Sequence, residues 1–273
     1  MLASLLIVFR EVFEAGLILG IVLAATRGVT GRGRWIALGV GGGVAGACAL
    51  ALFADTLSAQ FSGNGQELFN AGILLIAICM LAWHNIWMAS HGRALAGEMN
   101  AVGRAVGEGE RPPYALAVVV GAAVLREGSE VVLFLAGIAA SDDGGAGGMI
   151  VGAAGGIALG ALTSLLIYRG LLAVPTHRLF AVTGWLITLL AAGMASQAVA
   201  FLRQADLVTL GSGVLWDSSA LLRDDSLTGR ALHVLIGYCD RPTTAQILAY
   251  ALVLTTITLL MRANRARPES EAR

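Results

Sequence analysis

Six charged residues stand inside sequence that is otherwise apolar. Arg10, Glu11 and Glu14 interrupt LLIVFREVFEAGLILGIV, and Arg126, Glu127 and Glu130 interrupt LAVVVGAAVLREGSEVVLFLAGI. On a helix of 3.6 residues per turn, positions three apart lie about 60° apart and positions four apart about 40°. Each R-E-x-x-E run therefore presents two carboxylates on one face, with its arginine one turn from the second. A charge at the centre of a bilayer costs roughly 2.5–3.5 kcal/mol on insertion scales, so six of them must face one another rather than lipid. Four carboxylates and two guanidiniums sum to −2 when all are ionised. Protons or a multivalent cation would restore the balance. Carboxylate oxygens are hard donors for metal cations, and an arginine can hold a carboxylate in a fixed two-pronged pose. The expected ligands are thus Glu11, Glu14, Glu127 and Glu130, tuned by Arg10 and Arg126. A structural ion-pair network is the plain alternative. A di-iron oxidase is less well matched, because such sites add Glu-x-x-His pairs and no histidine follows any of these glutamates at that spacing.

The elements that position these groups are membrane spans. The chain is 57% apolar and 13% charged, about half the charge of a soluble domain. A hydrocarbon core about 30 Å thick takes roughly 20 helical residues. Seven stretches qualify, about 2–26, 35–57, 68–90, 114–140, 147–172, 179–202 and 245–262, with most breaks falling at GVTGRGR, SGNGQE, ERPP, SDDGGAGG and VPTHR. The first span lacks a basic leader and an A-x-A cleavage site, which argues for retention in the mature chain. Cys48, Cys79 and Cys239 follow no CxxC spacing and read as buried or loop residues. The positive charge is all arginine. Twelve arginines fall after spans 1, 3 and 5 and in the C-terminal tail, against Arg203, Arg223, Arg230 and Arg241 opposite. That bias places the N-terminus outside and the C-terminus inside. The outer loops are acidic instead, with Asp55, Glu67, Asp142, Asp143, Asp206, Asp217, Asp224, Asp225 and Asp240.

The spans also repeat. Arg10, Glu11 and Glu14 match Arg126, Glu127 and Glu130 at an offset of 116; the glycine run from Gly39 matches that from Gly152 at 113; LFNAGILLI at Leu68 matches LFAVTGWLI at Leu179 at 111. Three spans is an odd number, so the second unit enters the membrane from the opposite side. Inverted repeats are typical of secondary transporters, with the binding site near the midplane where the halves meet. The glycine runs let helix backbones approach closely. The expected architecture is an all-α integral membrane protein with seven transmembrane helices. It forms one transporter domain over 1–273: repeat one about 1–92, repeat two about 112–204, an outer loop about 203–244 and a final helix about 245–262. The outer loop carries apolar stretches, VLWDSSALL and ALHVLIGY, that suit folding back on the bundle as a lid or re-entrant helix.

Other polar residues are secondary candidates. His84, in AWHNIW, reads as a release-side ligand or proton carrier, and the flanking Trp83 and Trp87 suggest that it lies at the headgroup boundary. Gln197 is deep enough to hydrogen-bond between helices. Met80 reads as packing, and His91, His177 and His233 make no zinc spacing. No Walker A sequence is present, and neither ATP nor nucleic acid is an expected partner.

With REVFE (10–14) and REGSE (126–130) in the first and fourth spans, the sequence resembles the oxidase-dependent iron permease family, the FTR-type high-affinity iron transporters of fungi and bacteria. The late segment LWDSSALL…LIGYCDRPTTAQILAY (215–250) resembles the last loop and final helix of bacterial members. The resemblance implies import of iron ions across the bacterial inner membrane, with the four motif glutamates as ligands and iron as substrate rather than as a permanently bound cofactor. It also implies a separate extracytoplasmic iron oxidase or delivery protein as partner. Fungal members carry extra acidic motifs in outer loops, which makes Asp217 a loose counterpart on the uptake side. Some relatives are linked to lead. A proton-coupled carrier of organic cations would use the same carboxylates, and a membrane metal oxidase is a further alternative.

Overall fold

The computed structural model describes residues 1–60, 66–141, 145–170, 176–224 and 226–265. The loops SGNG and SDDGG in part, with Asp142, Asp143 and Asp225, and the arginines of the distal tail lie outside the described residues. Eight helices follow in order: α1 Leu2–Ala25, α2 Arg32–Gln60, α3 Gln66–Gly107, α4 Tyr114–Ser141, α5 Gly145–Tyr168, α6 Thr176–Gln204, α7 Leu227–Ile236 and α8 Thr244–Arg265. No strand occurs among the described residues. One isolated antiparallel bridge, Val214 to Thr243, ties the segment after α6 to the start of α8.

Helix boundaries follow local chemistry. After α1 the backbone turns through Gly28 and Gly31 at φ 92° and 75°, where only glycine is free of strain. The Arg32 guanidinium then donates to the Leu23 carbonyl at 2.9 Å and satisfies a terminal acceptor of α1. Pro112 and Pro113 precede α4, where a missing N–H leaves no helical bond unmade. Their carbonyls accept from Ala115 and Leu116 at 3.0 and 3.1 Å. Ser226 caps α7 by accepting from Gly229 N at 2.9 Å, and Gly237 ends that helix in the left-handed conformation.

Five of the helices, or segments of them, are long and apolar enough to cross a bilayer: Arg32–Ala54, Glu67–Trp87, Gly145–Tyr168, Ala181–Gln204 and Thr244–Ala263. Helices α1 and α4 are comparable in length at 24 and 28 residues, but each carries three charges at its middle. The burial pattern is inverted relative to a soluble protein. Leu38, Leu52, Phe53, Val118, Ile150, Trp185, Leu248, Leu252 and Leu259 are exposed, whereas Arg10, Glu11, Glu14, Glu127 and Glu130 are buried. An all-round apolar exterior with ionisable groups turned inward is the arrangement a bilayer imposes.

Neighbours in sequence are not the main neighbours in space. Helix α1 packs on α5 and α2 packs on α4, while α1 and α2 meet, among the described residues, only near the turn that joins them, through Arg32 on the Leu23 carbonyl and the shared core of Val22 and Ile36. Small residues allow both approaches. A β-carbon at Gly39 would stand 2.7 Å from the Ala117 carbonyl oxygen of α4, and one at Gly156 would stand 2.7 Å from the Leu5 carbonyl oxygen of α1. The buried residues of α5 are Gly152, Gly156, Gly160 and Ser164, a single stripe at helical spacing. The glycine runs thus have the close-packing role expected of them. The main core joins Leu74, Ala77 and Leu81 of α3 to Ile187, Ala191 and Ala198 of α6, Ile257 of α8, Ile7 and Phe134. Met80 packs against it.

One expectation holds inside a longer element and another needs correction. The third apolar span, Glu67–Trp87, ends close to where it was expected, but its helix continues: α3 runs 42 residues, about 63 Å at 1.5 Å per residue, twice the hydrocarbon thickness. Its distal part carries Val106 into a second core with Val22, Ile36, Leu116 and Val120. The cysteines Cys48 and Cys79 are exposed on the outer faces of their helices rather than buried, while Cys239 is half-buried in the late loop.

Candidate functional site

The two R-E-x-x-E runs meet. On α1, Arg10 Nε lies 2.8 Å from Glu14 Oε1, the i to i+4 pairing that helix geometry offers, and Nη1 lies 3.8 Å from Glu11 Oε1. On α4, Arg126 Nε lies 3.4 Å from Glu130 Oε1 and 3.9 Å from Glu127 Oε1. The helices are joined by a residue from a third. His84 of α3 sets Nε2 3.3 Å from Glu14 Oε2 and contacts Glu130 Oε2 through Nδ1. Ligand atoms of Glu11, His84, Glu127 and Glu130 all lie within 4.8 Å of one another.

Burial makes this cluster expensive. Glu11 is 0% exposed, Glu14 1%, His84 2%, Glu127 4% and Glu130 6%. Glu14 is held by Arg10 on one oxygen and by His84 on the other. The Oε2 atoms of Glu11 and Glu127 are buried without a hydrogen-bond donor among the described residues, apart from each other when one carboxyl carries a proton. With His84 neutral, four carboxylates and two guanidiniums leave −2 at the site. A cation seated between Glu11 and Glu127 would satisfy both orphaned oxygens and the charge.

Local packing fixes these side chains. Asn85, next to His84, donates to Gly184 O and to Thr188 Oγ1 of α6, each at 2.9 Å, which sets the rotation of α3. Thr188 Oγ1 in turn donates to Gly184 O at 2.7 Å. Ser164 of α5 donates to Gly160 O at 2.8 Å and lies 3.4 Å from Phe13 O, seating α5 against the turn that holds Glu14. On α4, Arg126 lies over the Trp87 ring with its guanidinium carbon 4.4 Å from the centroid, a cation–π contact.

The structure moves three secondary candidates. His84 is buried and bridges Glu14 and Glu130. Of the flanking tryptophans, Trp83 points out of the bundle at 71% exposure while Trp87 supports Arg126. Gln197 does not face the cluster's ligands. Its Nε2 lies 2.9 Å from His233 Nε2 of α7, and His233 Nδ1 meets Tyr238 O at 2.6 Å. With Gly193 against the Gly237 backbone and Tyr250 of α8 donating to Ile236 O at 2.7 Å, these bonds dock α7 on the bundle. That is the fold-back suggested by the apolar stretches of the outer loop. Asp217 is exposed and already engaged: Arg241 Nε lies 3.0 Å away, and Ser219 donates from N and Oγ at 3.0 and 2.6 Å. These serine bonds, helped by Arg241, hold its carboxyl below the usual aspartate range.

A second acidic group lies in the late loop, where Asp224, Cys239 and Asp240 gather. Asp240 N donates to Asp224 Oδ1 at 3.1 Å and Asp224 N lies 3.4 Å from Asp240 Oδ2. The exchange clamps the two ends of the loop. Burial pushes the Asp224 carboxyl and the Cys239 thiol up from their ordinary values.

An all-helical bundle with an apolar exterior and a buried ionic centre defines a multi-pass membrane protein. The sequence profile of the iron permease FTR1 family matches residues 1–263, and the chain belongs to that family. A Yersinia pestis protein named ferrous iron permease EfeU is 31% identical over 264 residues, covering 95% of this chain and 93% of its own length. Proteins of the same name from Yersinia pseudotuberculosis serotype I and Escherichia coli O6:H1 are 32% and 31% identical, covering 93% of this chain each and 90% and 92% of their own lengths. No solved structure matches the chain.

Proposed function

We propose that this protein is a secondary carrier that brings iron ions into the cell across the cytoplasmic membrane of a bacterium, with the ion held by the buried cluster of Glu11, Glu14, Glu127, Glu130 and His84. One observation carries the reading: carboxylates from two similar helices converge in a buried cluster, with Glu11 Oε2 and Glu127 Oε2 given no donor among the described residues but each other. Membership of an iron permease family and relatives named ferrous iron permease support iron as the cargo. All the large helices but α7 cross the membrane in this reading, seven in number, with the N-terminus outside as the arginine bias indicates. The inverted repeat is supported by the exchanged packing, in which the glycine helix of each half lies on the charged helix of the other.

The ion reaches the cluster from the acidic outer side, and rocking of the halves exposes it inward. A separate extracytoplasmic protein supplies or oxidises the iron. The membrane potential contributes about 2.3 kcal/mol per charge per 100 mV. For a divalent ion that is about 4.6 kcal/mol, enough for roughly a 10³-fold gradient at about 1.4 kcal/mol per tenfold. The test is radio-iron uptake into proteoliposomes containing the full chain. Glu11→Gln and Glu127→Gln should each reduce uptake by at least about 100-fold while the protein remains monodisperse; wild-type uptake in both would refute the assignment.

A further inference from the structure

The four motif glutamates are equivalent in sequence but not in space. Glu14 spends both oxygens inside the protein, Oε1 on Arg10 at 2.8 Å and Oε2 on His84 Nε2 at 3.3 Å. It is missing from the set whose ligand atoms converge within 4.8 Å, and His84 takes the fourth place beside Glu11, Glu127 and Glu130. The Nδ1 atom of His84 is on the Glu130 side and Nε2 on the Glu14 side. A carboxylate that orients a histidine from behind, leaving its other nitrogen for the metal, is a recurrent way of aiming an imidazole and raising its donor strength.

Resting on the reading of this cluster as the ion site, we propose that His84 Nδ1 is a direct ligand of the transported ion, that Glu14 is a positioning residue, and that the site consequently prefers a divalent transition metal to a hard cation. An all-carboxylate cage suits Mg²⁺, Ca²⁺ or ferric iron. One imidazole among three carboxylates shifts the preference toward Fe²⁺, Co²⁺ and Zn²⁺. Charge agrees with chemistry: Glu11, Glu14, Glu127 and Glu130 against Arg10 and Arg126 leave −2 around a neutral His84, which a divalent ion cancels and a trivalent ion overshoots.

X-ray absorption of the purified full chain in detergent, loaded with Co²⁺ alone, reads this directly, because an imidazole ligand gives a distinctive multiple-scattering signature. The signature is expected in wild type, lost in His84→Gln and kept in Glu14→Gln, whose Co²⁺ affinity falls by roughly 10–100-fold as for other lost orienting partners. In proteoliposomes, excess Ca²⁺ should leave Fe²⁺ uptake by wild type unchanged and compete in His84→Gln. An imidazole signature absent from wild type, or retained in His84→Gln, overturns the proposal even if His84 variants fold poorly. If Glu127→Gln abolishes Co²⁺ loading and no imidazole is seen, only this inference falls. If Glu127→Gln loads Co²⁺ and takes up iron like wild type, the cluster is not the ion site and both readings fall.

Discussion

REVFE in α1 and REGSE in α4 have the same charged pattern and opposite surroundings. The Arg10 side chain is 3% exposed and bound to Glu14 at 2.8 Å, whereas that of Arg126 is 37% exposed and 3.4 Å from Glu130. The intervening residues differ accordingly. Phe13 of α1 stacks on Phe9 with centroids 5.9 Å apart, closing that side with aromatic bulk. Gly128 and Ser129 of α4 leave a slimmer helix, and Trp87 lies under Arg126 instead. Equal sequence has been placed in unequal solvent, so α1 is the sealed wall of the site and α4 the side that meets the surroundings.

Breaking the comparison begins with the arginines. Arg10→Gln leaves Glu14 and Glu11 buried without their cation, and losing one partner of a buried pair costs about 3–5 kcal/mol. Arg126→Gln removes a part-exposed pair and one cation–π contact, about 1 kcal/mol in all. Thermal unfolding in detergent should therefore separate the two variants widely; equal losses would dissolve the distinction between wall and open side. Next in size, Gly39→Val and Gly156→Val force apart the two exchanged helix contacts, α2 on α4 and α5 on α1, and overpacking of this kind costs about 1–3 kcal/mol. Similar losses at both would sharpen the view that the halves share one packing rule, and a loss at only one would confine it.

The smallest effects belong to the loop, where two aspartates provide a contrast of their own. Asp224 has a raised pKa, so the folded state binds its proton more tightly than the unfolded chain does. Its contribution is present at acid pH and is lost as pH rises through the folded value. Asp224→Asn should leave neutral-pH stability unchanged or slightly improved, with the advantage vanishing on acidification. Asp217 has a lowered pKa, which gives the opposite sign: its contribution exists above the unfolded value and fades as pH falls through the folded one. Being exposed, Asp217→Asn should leave unfolding and uptake near wild type across neutral pH.

Much of this was legible in the residues. Charges inside apolar runs, doubled at one offset, announced a buried meeting of two helices, and the glycine runs announced close packing. What stayed hidden depended on partners far away in the chain. His84 sits in an apolar helix between two tryptophans, and nothing local says that its two nitrogens reach Glu14 and Glu130; the polar neighbour Asn85 was the one available hint. The length of α3 escaped because hydropathy reports the solvent, not the helix: RALAGEMNAVGRAV is polar enough to leave the membrane yet built largely of good helix formers. Gln197 was rightly seen as bonding between helices, but α7, its partner's helix, was not resolved from the loop that carries it.

The crossed packing has a consequence for biogenesis. Because α1 rests mainly on α5 rather than on α2, Arg10, Glu11 and Glu14 are synthesised long before the helix that covers them. The main packing partner of α1 is complete only when Tyr168, the last residue of α5, has been made. Until then the nascent chain holds three ionised or protonated groups in a half-finished bundle, and the insertion machinery must shelter them or let the helix wait at the interface. Burial of the charged turn of α1 thus waits on helices from the second half of the chain.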